Sequence, residues 1–350
     1  MASGNATSTP ARIVFPCQFW ERFLTYCGLN EFAIGMALDV GMALDVGGVV
    51  SRNQLISDIP AYLARSMGHY QSGEMAYMTT SEAVQAAWGT KVRLPVLMYH
   101  EVGDRETTQS PLAVTPKAFA EQLAFLHDAG FGTMTAAALP AALAAGEPLD
   151  RTIVLTFDDG YEDFHSQALP VLSRHGFTAT VFVTSGWVQD DVEWPGVRRP
   201  GRMLSWGQVA EVAAAGIEIG AHSCRHPQLD QITPDRLREE LYASKARLEE
   251  KLAMPVPGVA YPFGYSNAQV RETARAAGYG YGHAVRNLIA SPGADPFAIP
   301  RLTVHRTTTL AEFRAMVDGH LTLTLMKDRA LTRGYAVVRR TRALLTSSAE

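Results

Sequence analysis

The 350-residue chain has few of the features that fix a compartment or a macromolecular partner. Its three cysteines, Cys17, Cys27 and Cys224, are an odd number with no Cys-x-x-Cys pair, which argues against a disulfide framework. A net charge of −4 gives no electrostatic reason for nucleic acid or an anionic membrane as partner. Long apolar runs are missing too: the most apolar early window, 32–50, contains Asp39, Asp45 and several glycines, a poor transmembrane candidate. The first ten residues lack the basic residues and apolar run of a secretory signal, so a cytoplasmic location is expected. What remains, 19% charged and 47% hydrophobic residues, is the composition of a globular domain with ample core material.

That length suits one domain of roughly 200–250 residues plus an extension. Residues 1–90 read as an N-terminal extension of unknown role. Within them a hexapeptide, Gly-Met-Ala-Leu-Asp-Val, occurs at 35–40 and again at 41–46, and two copies do not make a repeat fold. A βα-patterned domain follows at 91–320, and 321–350 form a basic tail with Lys327, Arg329, Arg333, Arg339, Arg340 and Arg342 against Asp328.

From Leu94 onward, short apolar runs alternate with helical segments. Strands are expected at 94–100, 151–157, 178–183, 217–221, 258–261 and 299–304. Helices are expected at 115–129, 136–145, 162–175, 206–215, 233–252 and 268–277. Thr115-Pro116 and Thr233-Pro234 open two of them as N-cap and first-turn proline, and Gly130, Gly176 and Gly278 close three. The central strand is a continuous run, Ile153, Val154 and Leu155, as in a parallel strand covered on both faces. Between 184 and 204 no periodicity is visible. That stretch holds Trp187, Trp194, Arg198, Arg199 and Arg202, either a plain surface loop or flat faces for a sugar ring with cations for anionic groups.

Chemistry gathers at strand ends, where ligands bind in α/β folds. Asp158 and Asp159 end one strand, with Gly160 allowing a sharp turn; Asp-Gly is also a common turn dipeptide. His222 and His226 follow another strand, and His100 ends the first. A His-x-x-x-His spacing brings two imidazoles onto one ion when the backbone turns helically, although Pro227 and the preceding strand favour a strand-to-loop turn. Cys224 lies between them, offset by two residues from each, which makes it an awkward third ligand. Two histidines and one carboxylate leave a coordination position open, the catalytic form of a zinc site. One divalent ion is therefore expected, zinc first and other first-row metals after it. Such an ion brings the pKa of water from 15.7 toward about 7.

Thr156-Phe157-Asp158-Asp159-Gly160, His222-Ser223-x-x-His226 and Tyr261-Pro262-Phe263-Gly264, in that order, resemble the motifs of the polysaccharide deacetylase family, the NodB-homology esterases. The resemblance spans about 94–304 and implies a distorted (β/α) barrel with fewer than eight strands, preceded here by the N-terminal extension. It implies Asp158 as general base, with Asp159, His222 and His226 holding the metal and the Phe263 backbone N–H helping to hold an oxyanion. Ala260 stands where the family often has an arginine that orients the base, leaving open what tunes Asp158 here. The general acid is a histidine near the end of the domain in many members, which maps to His305. In the poly-N-acetylglucosamine deacetylase subgroup that strand comes first, and 94–102 resembles it, which favours His100. His127, His165, His175 and His283 read as structural or exposed.

The expected activity is metal-dependent removal of N-acetyl groups from an N-acetylated sugar or polysaccharide. One alternative is a deacylase of a small N-acyl metabolite, which the missing signal favours. Another is a carbohydrate-binding protein on the same scaffold, against which retention of both aspartates and both histidines argues.

Overall fold

The computed structural model describes residues 94–104, 110–145, 149–190, 198–320 and 322–331. The N-terminal extension with its tandem hexapeptide, Trp194, and the tail from 332 onward lie outside the described residues.

Among the described residues eight parallel strands form one sheet: β1 Val96–Tyr99, β2 Gly132–Met134, β3 Thr152–Phe157, β4 Thr180–Val183, β5 Glu218–Ala221, β6 Gly258–Ala260, β7 Tyr281–Val285 and β8 Ile299–Thr303. The order is β1-β8-β7-β6-β5-β4-β3, and β1 also pairs with β3, so seven strands close a ring. The eighth, β2, pairs only with the first half of β3, at 152–154, while β4 takes the second half at 156–157. Both lie on the edge of β3 opposite β1, so β2 is wedged in at the base of the ring. Side-chain hydrogen bonds fasten it to β4: Thr178 N donates to Thr133 Oγ1 at 2.8 Å and Ala136 N to Thr180 Oγ1 at 2.9 Å. The expected distorted barrel with fewer than eight strands is the fold observed.

Strand parity sorts the core into two compartments. Leu97, Tyr99, Ile153, Leu155, Phe157, Val181 and Ile219 point outward and pack against the helices. Val96, Val154, Phe182, Ala260, Tyr281 and Ile299 point inward and plug the base of the barrel. Two large rings fit there because glycines stand beside them. A Cβ on Gly220 would lie 2.4 Å from Phe182, and one on Gly258 would lie 1.9 Å from Tyr281. The plug is also polar: Glu218 accepts from Ala137 N, from Thr180 Oγ1 and from the Tyr281 hydroxyl.

Around the ring lie α1 Pro116–Asp128, α2 Leu139–Ala145, α3 Leu169–Arg174, α4 Trp206–Ala214, α5 Pro234–Leu252, α6 Ala268–Ala276 and α7 Leu310–Val317. Two of their starts follow the predicted capping chemistry, at Thr115 and Thr233, and a third cap is seen at Ser205. Thr115 accepts from Ala118 N, Thr233 from Arg236 N, and Ser205 with Gln208 forms a reciprocal capping box. The helix expected at 162–175 is broken in kind: a π-helical turn, Phe164–Ala168, precedes α3. Pro170 explains it, since its ring excludes a normal bond to the carbonyl four residues back and the turn widens. A further helical stretch covers 323–331. Among the described residues no helix is long and apolar enough to cross a membrane.

Candidate active site

At the carboxyl ends of the strands lies a cleft of about 530 Å³ lined by His100, Asp158, Asp159, His222, His226, Phe263 and His305, together with Tyr161, Trp187, Tyr265, Asp328 and Leu331. The candidate base, metal ligands, oxyanion donor and both candidate acids named from the sequence therefore face one space.

Asp158 and Asp159 share a strand end but not an environment. The peptide turns over between them, with Asp159 at φ 76° and Gly160 at φ 84°, as expected of the glycine. Asp159 Oδ1 is buried, accepts no hydrogen bond, and lies 3.4 Å from His222 Nε2 and 3.3 Å from His226 Nε2. One ligand atom from each of these three residues falls within 4.8 Å of the others. His222 Nδ1 donates to the Ala260 carbonyl at 2.8 Å, which leaves the Nε2 lone pair turned toward Asp159. Burial pushes both imidazoles down, His226 to about 3, so both are neutral at pH 7. Burial, then the Asp158 and Glu101 charges, pushes the Asp159 carboxyl well up, as in a site built for a cation. Neutral nitrogens, an orphaned carboxylate oxygen and mutual spacing fit a divalent ion with two histidines and one aspartate.

The His-x-x-x-His spacing works by a route other than a helical turn. Residues 222–226 are loop, and Ser223 (φ 63°) and His226 (φ 58°) adopt left-handed backbone. Cys224 is turned away, its Sγ 3.6 Å from the Glu240 carbonyl oxygen, and burial pushes its thiol up to about 12. It is not part of the ligand group, in line with its awkward offset.

Asp158 instead meets Arg301. Its two oxygens accept from Nη1 at 2.6 Å and Nη2 at 2.7 Å, a bidentate pair in which the guanidinium is fully buried. Burial pushes the Asp158 carboxyl up, but Arg301 and His222 together outweigh it and hold the group well below the usual carboxylate range. Ala260 offers its carbonyl to His222, and the guanidinium on Asp158 comes instead from β8, two strands from β3 around the ring with β1 between them. Sequence reasoning missed Arg301. The signal was there: an arginine in an apolar strand, Ile-Pro-Arg-Leu-Thr, with the inward parity of Ile299 and Thr303.

The two remaining histidines differ. His100 sits in the field of Asp158, Arg301 and His222, and burial lowers it to about 4. His305 Nε2 donates to Asp328 at 2.6 Å, a carboxylate supplied by the 323–331 stretch. Around them is an aromatic rim. The Trp187 ring stacks on His226 at 4.9 Å, Phe263 meets His226 edge-on at 4.7 Å, and Phe263 stacks on Tyr265 at 5.9 Å. Phe263 is 49% exposed, and its backbone is left-handed at φ 60°. Arg199 donates to the Trp187 and Val188 carbonyls at 2.7 and 2.8 Å and fastens the loop, in line with the surface-loop alternative for this arginine. His283 is buried in the barrel beside Phe182 and Tyr281, in keeping with a structural histidine.

Fold and site together define a class: a parallel (β/α) barrel with paired aspartates and an Asp/His/His group at its open end. Residues 145–282, which run from the end of α2 into β7, match the family model described as polysaccharide deacetylase. The chain is similar to YxkH of Bacillus subtilis (strain 168), 28% identical over 228 residues that make up 65% of this chain and 77% of that one. It is 24% identical over 258 residues to the poly-β-1,6-N-acetyl-D-glucosamine N-deacetylase of Escherichia coli (strain K12), covering 63% of this chain and only 38% of that protein. Among solved structures, the Streptococcus pyogenes deacetylase PplD in complex with acetate aligns with a TM-score of 0.59 and 27% identity, over 65% of this chain and 99% of that one.

Proposed function

We propose that this protein is a metal-dependent hydrolase that removes N-acetyl groups from an N-acetylated sugar, with oligomers or polymers of N-acetylglucosamine as the substrate class. The observation that carries the reading is the division of labour between adjacent aspartates: Asp159 beside two neutral imidazoles, Asp158 on a buried guanidinium. A binding protein has no use for that pair. The names of the E. coli and S. pyogenes relatives, both deacetylases, support the same chemistry.

Asp159, His222 and His226 would hold the ion. When bound, it would polarise the acetyl carbonyl and acidify water in the cleft. Asp158 takes a proton from the attacking water; Arg301 keeps that carboxylate ionised and fixes its direction. As the C–O bond forms, the Phe263 backbone N–H helps hold the charge on the former carbonyl oxygen. His100 returns a proton to the amine as the C–N bond breaks. Held so far below the usual range, Asp158 is a poor resting place for the proton, and neutral His100 is the more basic neighbour to receive it. The bond between His305 and Asp328 favours His305 as a second imidazole able to serve the leaving group. Trp187, Phe263 and Tyr265 offer flat faces to the sugar ring.

The test is acetate release from N-acetylated glucosamine oligomers, run beside metal analysis. Asp158→Asn is expected to keep metal and lose most turnover, and His222→Ala to lose metal. Unchanged acetate release in both variants would refute the assignment.

A further inference from the structure

The His222–His226 loop carries two left-handed residues that are not glycine, Ser223 and His226, a strained backbone that persists only where its surroundings impose it. What imposes it is visible on both sides. From one side the Ser185 and Gly186 N–H groups donate to the carbonyls of Ser223 and Cys224 at 3.1 and 2.9 Å. From the other, Glu240 of α5 reaches in. Its Oε2 accepts from Cys224 N at 2.9 Å and from Arg225 N at 2.8 Å, and its Oε1 accepts from Arg225 Nη1 at 2.9 Å. Glu240 is fully buried, on the inward side of a helix whose other acids are mostly solvated. A buried carboxylate carries a desolvation cost, and nothing in helix packing requires one there. Its oxygens meet the Cys224 and Arg225 N–H groups and the Arg225 guanidinium, and it is not among the residues that line the cleft.

We propose that Glu240 is the positioning residue of the metal centre: by gripping the peptides of Cys224 and Arg225 it holds His222 and His226 in their converging geometry before any ion arrives. This rests on the metal reading above. The histidine loop is thus preorganised from behind by a carboxylate that never touches metal, and Arg225 balances its charge while reaching Glu239 at 2.5 Å on the surface. Glu240→Gln keeps the shape but offers one oxygen, so its amide nitrogen faces either the peptide N–H groups or the guanidinium.

The experiment measures zinc affinity of the metal-free, folded protein by chelator competition, with the visible spectrum of the cobalt-loaded protein as a report on ligand geometry. Glu240→Gln is expected to fold, to weaken zinc by about 10–100-fold and to alter the cobalt spectrum, the range seen when support behind metal ligands is lost. Glu239→Gln, altered on the exposed side of Arg225, is expected to bind within about twofold of wild type, below the 10–100-fold range of a lost support. Should Glu240→Gln not fold, Arg225→Met removes the counter-cation from a partly exposed position and is expected to weaken zinc as well. Wild-type affinity and spectrum in a folded Glu240→Gln, or unchanged affinity in Arg225→Met where it is the variant used, would overturn the proposal. If wild type binds no zinc, or His222→Ala binds as well as wild type, the metal reading itself fails, a distinguishable result.

Discussion

Replacing Arg301 by methionine removes a buried cation while keeping an unbranched side chain of similar length. Asp158 would be left 3% exposed, with both oxygens deprived of their 2.6 and 2.7 Å donors. Breaking one side of such a buried pair costs about 3–5 kcal/mol, because the surviving charge stays out of water. The sign with pH follows from the depressed carboxyl. Its stabilisation is present above the unfolded carboxylate value near 3.8 and is lost only as pH falls through the lower folded value. Without Arg301, burial dominates and drives Asp158 up, so at neutral pH the folded state is penalised and the base is less ionised. Urea denaturation at pH 7 should therefore show the loss. The acid limb of kcat/KM for acetate release should move to higher pH, so activity falls more at pH 5 than at pH 8. Asp158→Asn combined with Arg301→Met should cost less than the sum of the singles, with a coupling of roughly 0.5–3 kcal/mol. An unmoved acid limb together with additive stabilities would refute the reasoning.

Two further outcomes separate the remaining groups. His100→Ala should reduce kcat by about 10²–10⁴, the usual worth of a proton donor, whereas His305→Ala should act mainly on KM; the reverse ranking would transfer the donor role to the His305–Asp328 pair. Asp163 is pushed up to about 7, chiefly by burial, so the folded protein loses stability as pH climbs from about 4 toward 7. Asp163→Asn should therefore raise the melting temperature at pH 8 and change it little at pH 4, and a pH-independent shift would count against that cause.

Much of this was legible in the chain because the relevant signals are local. Thr115-Pro116, Thr233-Pro234 and the Asp-Asp-Gly turn each carry their own physical reason, and the structure has the expected cap or turn at each. What escaped was short or non-local. β2 has three residues of mixed exposure, Gly-Thr-Met, and β7 begins with Tyr281-Gly282-His283, a pattern in which neither apolar runs nor alternation stand out. Arg301 was hidden for a different reason: its partner is 143 residues away, and nothing near it in sequence needs a cation. The backbone of the site was equally hidden, since Asp159, Ser223, His226 and Phe263 are among the seven described non-glycine residues with left-handed φ, a conformation their side chains do not advertise.

The closure of the ring has a consequence in time. Strand β1 is made first and waits between β3 and β8, with Leu97 opposite both Leu155 and Leu302. During synthesis Asp159, His222 and His226 leave the ribosome well before Ile299–Thr303 does. A nascent chain thus passes through a stage holding every ligand but no guanidinium on Asp158. Emergence of β8 shuts the barrel and sets the charge state of the base in the same event. A chain cut short of that strand would still bear the motifs by which it is recognised, without the cation that tunes its base.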